Sequence, residues 1–372
     1  MELQEFNELF RKYESGTLSE EERRRLEKWY NQYASESTVQ PDHTELDERL
    51  KSVAGKLPVR YQVTKIRKMY YRIAVAASIL IAVGIGTWWF SRQDKVEHQV
   101  TQNDIGPGGN KAVLTLADGR TIDLNESKTG IIVKGEHINY QDGSALSGVA
   151  NGKQRKATAA LLELSTPLGG TYQITLPDGT RVWLNAASTL KYPSLFSGQT
   201  REVEITGEAY FEVMPNADKP FKVFSKGQEI EVVGTVFNVQ AYADEPEIKT
   251  TLVEGSVRVV NQVSKAVRNL RPGEQSSVLD GNTKVAQVDV SEYTAWKDGL
   301  FRYNNQPLEA IMRNVSRWYG VEVAYEDNAL KGERFVGMVS RYSNISTALA
   351  VLEEVGGARF TVRDNTVTVS KK

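Results

Sequence analysis

The sequence of 372 residues contains no cysteine and only three histidines, His43, His98 and His137. The absence of cysteine excludes disulfide bonds, thiolate nucleophiles and cysteine metal sites. Three scattered histidines leave little for a zinc site or a histidine-based catalytic triad. We therefore predict no cofactor, no metal and no enzyme, apart from a single-turnover self-cleavage.

The chain also lacks an excess of charge of either sign. It has 46 basic and 47 acidic residues, and its formal net charge is −1. Direct binding of nucleic acid is not predicted, because the basic footprint that such proteins carry is missing. The content of 40% hydrophobic and 25% charged residues is typical of folded protein, and the length predicts two or three domains.

One long apolar run, Ile73 to Phe90, divides the sequence and contains no charged residue, Asn, Gln or Pro. As a helix it would extend about 27 Å, close to the roughly 30 Å of hydrocarbon in a bilayer. A buried core helix would normally show a polar face, and a signal peptide would begin near residue 1. We therefore predict a transmembrane helix over residues 71–91.

The flanks of this run indicate its orientation. Aromatic and basic residues suited to the lipid–water interface lie at its two ends: Tyr70, Tyr71, Arg72, Trp88 and Trp89. The segment before the run is rich in Lys and Arg and has no acid between residues 51 and 72. The positive-inside rule then keeps the N-terminus of this single-pass protein in the cytoplasm and exports everything after Phe90.

Residues 1–70 carry apolar residues at helical spacing, which predicts a small head of three short helices. Ser19 stands three residues before Glu22, a capping box for the second helix. Two interpretations stay open for the head, a partner-binding module or a self-contained bundle leading into the membrane. In the first interpretation, the partner is bound by Leu9, Phe10, Leu26 and Trp29. In the second, the same four residues form the head's own core.

Strand patterns dominate after the span. Residues 92–163 are predicted to be a linker, polar up to residue 110, followed by a β-hairpin region, and 164–290 an all-β domain. Two similar segments, 113–127 and 174–188, each place Asp-Gly between alternating strands, a strong hairpin signal. A sandwich, a barrel and a solenoid all fit this pattern.

Residues 292–372 have a different secondary-structure pattern from the strands before them. Strand and helix patterns alternate in the order βαββαββ, with one helix opening at Pro307 and another ending at Gly356. This order predicts a small α+β domain. The fold class is thus multidomain: a helical head, one transmembrane helix, an all-β domain and an α+β domain.

Several segments together resemble a known family. They include STPLGGTYQITLPDGTRVWLNAASTLKYPSLF (165–196), VEITGEAYFEV (203–213) and AWKDGLFRYNNQPLEAIMRNVSRWYGVEVAY (295–325). These segments are similar to the FecR-type transmembrane anti-sigma factors of Bacteroidetes, and the similarity runs over nearly the whole chain. The N-terminal YESGTLSEEERRRLEKWY (13–30) resembles the sigma-binding head of that family.

The resemblance implies a signalling role. The head would bind an extracytoplasmic-function sigma factor, and the periplasmic part would sense a TonB-dependent outer-membrane transducer. The C-terminal α+β domain would have the secretin and TonB short N-terminal fold and meet the transducer's periplasmic signalling domain. Inner-membrane lipid and intramembrane and periplasmic proteases are further implied partners, and the inducing ligand would be a glycan or an iron chelate.

The resemblance also points to one bond. Gly234–Thr235 aligns with a Gly-Thr bond at which some relatives cleave themselves, by attack of the Thr hydroxyl on the preceding carbonyl carbon. The alternative is a Gly-Thr pair at a bulge in a strand.

Two other function classes compete with a regulator. A membrane-anchored periplasmic glycan-binding module would stack sugars on aromatic side chains, although alternating aromatic residues in strands are commonly core. The residues concerned are Trp183, Tyr192, Phe196, Tyr210 and Phe211. An exported hydrolase would need a paired-carboxylate site, because neither His98 nor His137 lies in a recognisable motif.

Overall fold

A computed structural model describes residues 104–135, 137–147 and 159–372, together with Ser19 and Glu22. Asp104–Lys372 forms one compact unit. The predicted transmembrane helix and nearly all of the head lie outside the described residues, as do the side chains assigned to them: Leu9, Phe10, Leu26, Trp29, Tyr70, Tyr71, Arg72, Trp88 and Trp89. Within the described part, no helix is both long and apolar enough to cross a bilayer.

The predicted capping box is confirmed. The backbone N–H of Glu22 donates to the hydroxyl of Ser19 at 3.3 Å, and the backbone N–H of Ser19 donates to the carboxylate of Glu22 at 3.0 Å. Each side chain thus satisfies a backbone donor that the first turn of a helix would leave free.

Between residues 109 and 287, every helix or strand that the structure describes is a strand. The first nine are β1 (Gly109–Asn110), β2 (Val113–Thr115), β3 (Thr121–Asp123), β4 (Gly130–Lys134), β5 (His137–Tyr140), β6 (Leu161–Thr166), β7 (Gly170–Thr175), β8 (Arg181–Leu184) and β9 (Ser188–Pro193). The next nine are β10 (Arg201–Glu212), β11 (Phe221–Ser225), β12 (Gln228–Val232), β13 (Val236–Ala241), β14 (Ile248–Glu254), β15 (Val257–Asn261), β16 (Val267–Leu270), β17 (Glu274–Leu279) and β18 (Asn282–Gln287).

These strands build two sheets. Sheet I has the order β3-β2-β6-β9-β10-β11-β12-β15-β16, and sheet II has the order β5-β4-β7-β8-β10-β13-β14-β17-β18. Alternate side chains of both sheets, such as Leu164 of sheet I and Ile174 of sheet II, belong to one buried hydrophobic cluster. Of the architectures that the sequence left open, the structure therefore has a sandwich.

Strand β10 belongs to both sheets, which the sequence did not predict. The sequence pattern suggested separate strands over 201–207 and 208–214, but β10 runs unbroken from Arg201 to Glu212. Its first half pairs with β9 and β11, and its second half with β8 and β13. Gly207 lies at the crossover with φ +93°, a conformation that glycine adopts without strain.

Both predicted Asp-Gly hairpins are confirmed. β2 pairs with β3, and β7 pairs with β8. In the two turns, the N–H of Leu116 or Leu176 donates to the carbonyl of the residue four positions later, and the N–H of Gly119 or Gly179 donates to the carbonyl of that leucine. The side chain of Asp118 or Asp178 accepts from the backbone two residues on. The two hairpins lie in different sheets, sheet I and sheet II.

The C-terminal region has the predicted βαββαββ order after a short helix. Its elements are α1 (Val290–Thr294), a 3₁₀ turn (Ala295–Asp298), β19 (Leu300–Pro307), α2 (Leu308–Tyr319), β20 (Glu322–Tyr325), a 3₁₀ turn (Asn328–Gly332), β21 (Arg334–Ser340), α3 (Ile345–Val355), β22 (Ala358–Arg363) and β23 (Thr366–Lys371). The pattern of AWKDGLFRYNN (295–305) predicts one strand, but residues 295–298 form the 3₁₀ turn and the strand begins at Leu300. Pro307 ends β19 and precedes the first helical residue.

The sandwich and the C-terminal region have separate hydrophobic cores. In the C-terminal region β19 pairs with β21, and β20, β23 and β22 form a second small sheet. One face of α2 and one face of α3 close this core through side chains such as Ile311 and Leu349. The two cores are distinct, but Ala186 of the sandwich belongs to the C-terminal core, and Ile105 packs against it.

Candidate functional site at the junction of the sandwich and the C-terminal region

The outer face of sheet II presents a row of polar and aromatic side chains. Because side chains alternate across a pleated sheet, residues opposite each other in register share a face. The pairings place Gln173 beside Trp183, Trp183 beside Tyr210, and Tyr210 beside Asn238. Thr251 continues the row. Tyr210 and Asn238 are nevertheless buried, so another part of the chain must cover them.

The C-terminal region supplies that cover. The indole N–H of Trp296 donates to the side-chain oxygen of Asn238 at 3.2 Å. The guanidinium of Arg341 donates to the side-chain oxygen of Asn185 at 2.8 Å and to the backbone carbonyl of Trp296 at 3.0 Å. The indole N–H of Trp318 donates to the backbone carbonyl of Arg341 at 2.7 Å. These bonds hold Arg341 in place between the two parts.

A carboxylate is buried on the sandwich side. Glu208 is only 6% exposed and accepts from the amides of Asn185 at 2.7 Å and Asn238 at 3.0 Å. Burial raises the pKa of Glu208, and the two amide donors oppose this rise. Arg341, in turn, has its pKa lowered to about 10 by burial. Asn185 bridges these two buried charged groups, accepting from one and donating to the other.

The guanidinium of Arg341 also packs on aromatic rings. It lies 3.8 Å from the ring centroid of Trp318 and 5.3 Å from that of Phe301. Such stacking compensates partly for the water that a buried cation loses.

A second cation, Arg317 of α2, joins the same two parts. It donates to both carboxylate oxygens of Asp244 at 2.8 and 2.9 Å and to Glu245 at 2.6 Å. It lies 3.6 Å above the ring of Tyr242, whose hydroxyl donates to the backbone carbonyl of Ala186. A bidentate, stacked arginine fixes orientation as well as distance.

The first described residues after the predicted span form a third connection, here called the entry segment (residues 104–110). The sequence predicted a linker through residue 110, but the entry segment is bound at both ends. The carboxylate of Asp104 accepts from the backbone and hydroxyl of Ser346, and the carbonyl of Ile105 accepts from the N–H of Ile345, in the first turn of α3. At the other end, β1 pairs in parallel with β7. The entry segment thus links α3 to the sandwich.

Gly108 allows the entry segment to lie close to Gly169 and Trp318. A Cβ there would lie 2.3 Å from the carbonyl oxygen of Gly169 and 2.9 Å from the ring of Trp318. The turn at Gly169 also donates its N–H to the carbonyl of Arg317 at 2.7 Å, at the carboxyl end of α2. The entry segment, the β6–β7 turn and α2 therefore meet at one point.

The chemistry of the junction suits an interface that can open. A buried hydrogen bond contributes about 1 kcal/mol net, because water replaces the partner when the bond breaks. A junction built of such bonds can be rigid when closed and can become hydrated at low cost when open, unlike a shared apolar core. Among the described residues, no cluster of three or more carboxylates or histidines is placed to hold a metal ion.

The Gly234–Thr235 bond lies elsewhere, in the bend that carries the chain from β12 in sheet I to β13 in sheet II. Thr235 is 3% exposed, and its hydroxyl donates to the carbonyl of Ser256 at 2.9 Å. Gly255 packs directly on this bond, since a Cβ there would lie 2.9 Å from the hydroxyl of Thr235 and 3.0 Å from the carbonyl oxygen of Gly234. A register shift follows between Val236 and Phe237.

The aromatic candidates separate into two groups. Tyr192 and Phe211 are fully buried in the sandwich core, Phe196 packs against it, and Tyr210 is buried under the C-terminal region. Trp183, like Phe196, is half-buried, and it lines a cavity at the junction.

Sequence reasoning missed the residues that build the junction, among them Glu208, Arg317 and Arg341. Glu208 follows Gly207 in a strand pattern, where an outward glutamate normally indicates solvent. Arg341 follows directly after a strand, with no motif around it. No local signal in the sequence distinguishes these side chains from ordinary surface charges.

Comparison with known proteins gives the family. Residues 162–258 match the family described as FecR protein, and residues 300–369 match FecR, C-terminal. The structure is similar to that of a candidate anti-sigma factor from Parabacteroides distasonis ATCC 8503, solved at 1.65 Å and at 2.50 Å resolution. Both comparisons give 30% identity, a TM-score of 0.53 and 99% coverage of that chain, with 56% and 57% of this chain covered.

The chain belongs to the FecR family. No curated protein matches it. The family and the structural similarity support a regulatory role as an anti-sigma factor for this FecR protein. Both matched segments lie within the described unit, on the two sides of the junction.

Proposed function

We propose that this FecR protein is a single-pass inner-membrane anti-sigma factor. Residues 1–70 bind an extracytoplasmic-function sigma factor in the cytoplasm, and residues 71–91 cross the membrane. The periplasmic part receives a signal from the periplasmic signalling domain of a TonB-dependent outer-membrane transducer. The long apolar run with its basic N-terminal flank supports this topology.

One observation carries the proposal of a relay. Asp104 and Ile105, the first described residues after the predicted span, bond to Ser346 and Ile345 at the start of α3. The receiving region and the segment that continues toward the membrane are therefore in direct contact. A partner that displaces the C-terminal region from the sandwich would act on the entry segment without an intermediate.

The polar junction provides two arrangements for such a relay. In the closed arrangement Arg341 binds Asn185, just after β8, and Arg317 binds Asp244 and Glu245 in the turn after β13. In the open arrangement water solvates Glu208, Glu245 and both arginines, so neither arrangement leaves a buried charge without a partner. A transducer domain shifts the balance only by its difference in affinity for the two arrangements.

Binding of the sigma factor is tested on the full chain purified from membranes. We expect the sigma factor to co-purify with the wild type and to be lost from the double variant Leu9→Ala/Trp29→Ala. Retention of the sigma factor by this variant, with the head still helical by circular dichroism, would exclude these residues from the contact. Reporter fusions that place both termini in one compartment would overturn the membrane topology.

The self-cleavage implied by the resemblance remains part of the proposal. The Thr235 hydroxyl would attack the carbonyl carbon of Gly234, the amide would become an ester, and water would hydrolyse it. The close packing of Gly255 against both groups supports a restrained geometry at this bond. Release of the sigma factor would then depend on intramembrane and periplasmic proteases.

A further inference from the structure

A cavity of about 240 Å³ lies beside the Arg341 contact. Its walls come from the entry segment, from the outer face of sheet II and from the C-terminal region, so all three parts border the same space. Ligand sites for drug-sized molecules measure about 300–1,000 Å³. This cavity therefore suits one small ring rather than a chain of several units.

Aromatic side chains form much of the wall. Trp183 comes from β8, Trp296 from the 3₁₀ turn, and Tyr342 from the loop after β21. Tyr342 is 67% exposed, so it lies at the mouth, and its ring packs against Gly299. A Cβ at Gly299 would lie 2.3 Å from that ring, and glycine at this position allows the close approach.

Polar groups without partners face the same space. Within the part of the chain that the structure describes, the side-chain amides of Asn110 and Gln173 make no hydrogen bond to another residue, and both residues line the cavity. Each amide offers two N–H donors and one carbonyl acceptor. Lys297, also in the lining, is already paired with Asp298 at 2.5 Å. Arg341 lines the cavity too, and its guanidinium donates to Asn185 and to the carbonyl of Trp296. The groups available to a ligand are therefore mainly neutral donors and acceptors.

We propose that this cavity binds a single pyranose ring of a neutral sugar. The C–H face of a pyranose is apolar and suits an indole surface, while its hydroxyl rim needs partners that both donate and accept, as amides do. A small hydrophobic ligand would leave the amides unpaired, and an anion would meet Lys297 already paired with Asp298 and Arg341 already bound to Asn185. A bound sugar contacts the entry segment, the sandwich and the C-terminal region together and stabilises the closed junction. This last consequence rests on the proposed relay, whereas the binding itself does not.

The test uses the purified full-length protein with D-glucose, D-galactose and D-mannose as probes, and reads binding by saturation-transfer NMR and tryptophan fluorescence. We expect saturable millimolar binding of at least one of the three. Trp183→Ala should weaken it by about 10-fold, the value of one aromatic contact. Trp183→Phe, which keeps a ring, should retain most of the affinity.

A blocking variant separates this site from others. Gly109 lines the cavity, and a Cβ there meets no atom within 4 Å, so Gly109→Leu should occupy the space without disturbing the backbone. Gly332→Leu is the matched control, since a Cβ at this exposed glycine also meets nothing and the residue is remote from the lining. We expect Gly109→Leu to abolish binding and Gly332→Leu to bind as the wild type.

Two results would overturn the proposal. One is the lack of saturable binding of all three sugars by the wild type. The other is unchanged affinity in both Trp183→Ala and Gly109→Leu, with both variants shown to be folded by thermal melts. Co-purification of the sigma factor is measured on the same samples, so a failure of the sugar site is distinguishable from a failure of the proposed regulator.

Discussion

Arg341 of the C-terminal region donates a hydrogen bond of 2.8 Å to the side-chain oxygen of Asn185 in the sandwich, across 156 positions of sequence. The amide of the same Asn185 donates to Glu208 at 2.7 Å. A buried cation and a buried carboxylate are thus connected through one neutral side chain. Such an arrangement depends on the correct position of both parts, because Asn185 binds Arg341 of one part and Glu208 of the other.

The buried carboxylate should make stability depend on pH. Burial raises the pKa of Glu208 above its ordinary value of 4.5. Between pH 4.5 and the raised pKa, Glu208 is therefore protonated in the folded state and ionised in the unfolded state. Its contribution to stability is therefore present below pH 4.5 and is lost as the pH rises through the folded pKa. Glu208→Gln removes this titration. We expect the melting temperature of Glu208→Gln, relative to wild type, to increase as the pH rises from about 4.5.

Thermal melts over this pH range check the prediction. Glu354→Gln, on an exposed position of α3, is the surface control. A difference between Glu208→Gln and wild type that stays constant or decreases with pH would contradict the assignment of a raised pKa.

The second junction arginine should contribute strongly to stability. Arg317→Met removes the cation from Glu245, whose side chain is 9% exposed, and leaves that carboxylate buried without its charge partner. We expect a loss of about 3 kcal/mol in the free energy of unfolding. Arg313→Met, one turn earlier on α2, breaks only a partly exposed pair with Glu309 and should cost about 0.5 kcal/mol. Chemical denaturation of the full chain measures both, and equal losses would contradict the junction role.

The entry segment should hold the first turn of α3. Asp104→Ala removes the carboxylate that accepts from the backbone and hydroxyl of Ser346, at a cost of about 1 kcal/mol. We expect faster hydrogen exchange at residues 105–110 and 345–348. Asp327→Ala is the matched control, because Asp327 accepts from the N–H of Ala329 at the start of a 3₁₀ turn. If Asp327→Ala has the same effect on the entry segment, the contact of Asp104 is not specific.

The crossing strand should depend on one glycine. At Gly207, with φ +93°, a Cβ would lie 2.4 Å from the hydroxyl oxygen of Ser188. Gly207→Ala should therefore cost about 3 kcal/mol through strain and overlap. Gly337→Ala, in β21, meets nothing within 4 Å and should be close to neutral. Unfolding in denaturant compares the two, and a small loss in Gly207→Ala would show that β10 crosses between sheets without this conformation.

The self-cleavage prediction has a direct test on a denaturing gel. We expect fragments that correspond to residues 1–234 and 235–372 in the wild type, and a single intact chain in Thr235→Ala. Thr235→Ser keeps a hydroxyl and should retain cleavage. An intact wild-type chain would contradict the prediction and leave Gly234–Thr235 as a structural bend.

Local signals predicted much of the described fold. The Asp-Gly pairs at 118–119 and 178–179 predicted two hairpins, and both formed, because a turn is decided by the residues within it. The apolar stripe after Pro307 predicted α2. The final hairpin, β22 and β23, turns at Asp364 and Asn365, which both have positive φ. The transmembrane helix and the sigma-binding residues lie outside the described residues and remain predictions.

The sequence by itself determined the local elements and, through the resemblance, the family. Only the tertiary structure decided that β10 serves two sheets, that the entry segment links α3 to the sandwich, and that part of the outer face of sheet II is buried. The physical reason is that a polar side chain in a strand has the same local pattern whether water or another part of the chain lies above it. For Glu208 and Asn185, that choice was made by Arg341, a residue more than a hundred positions away.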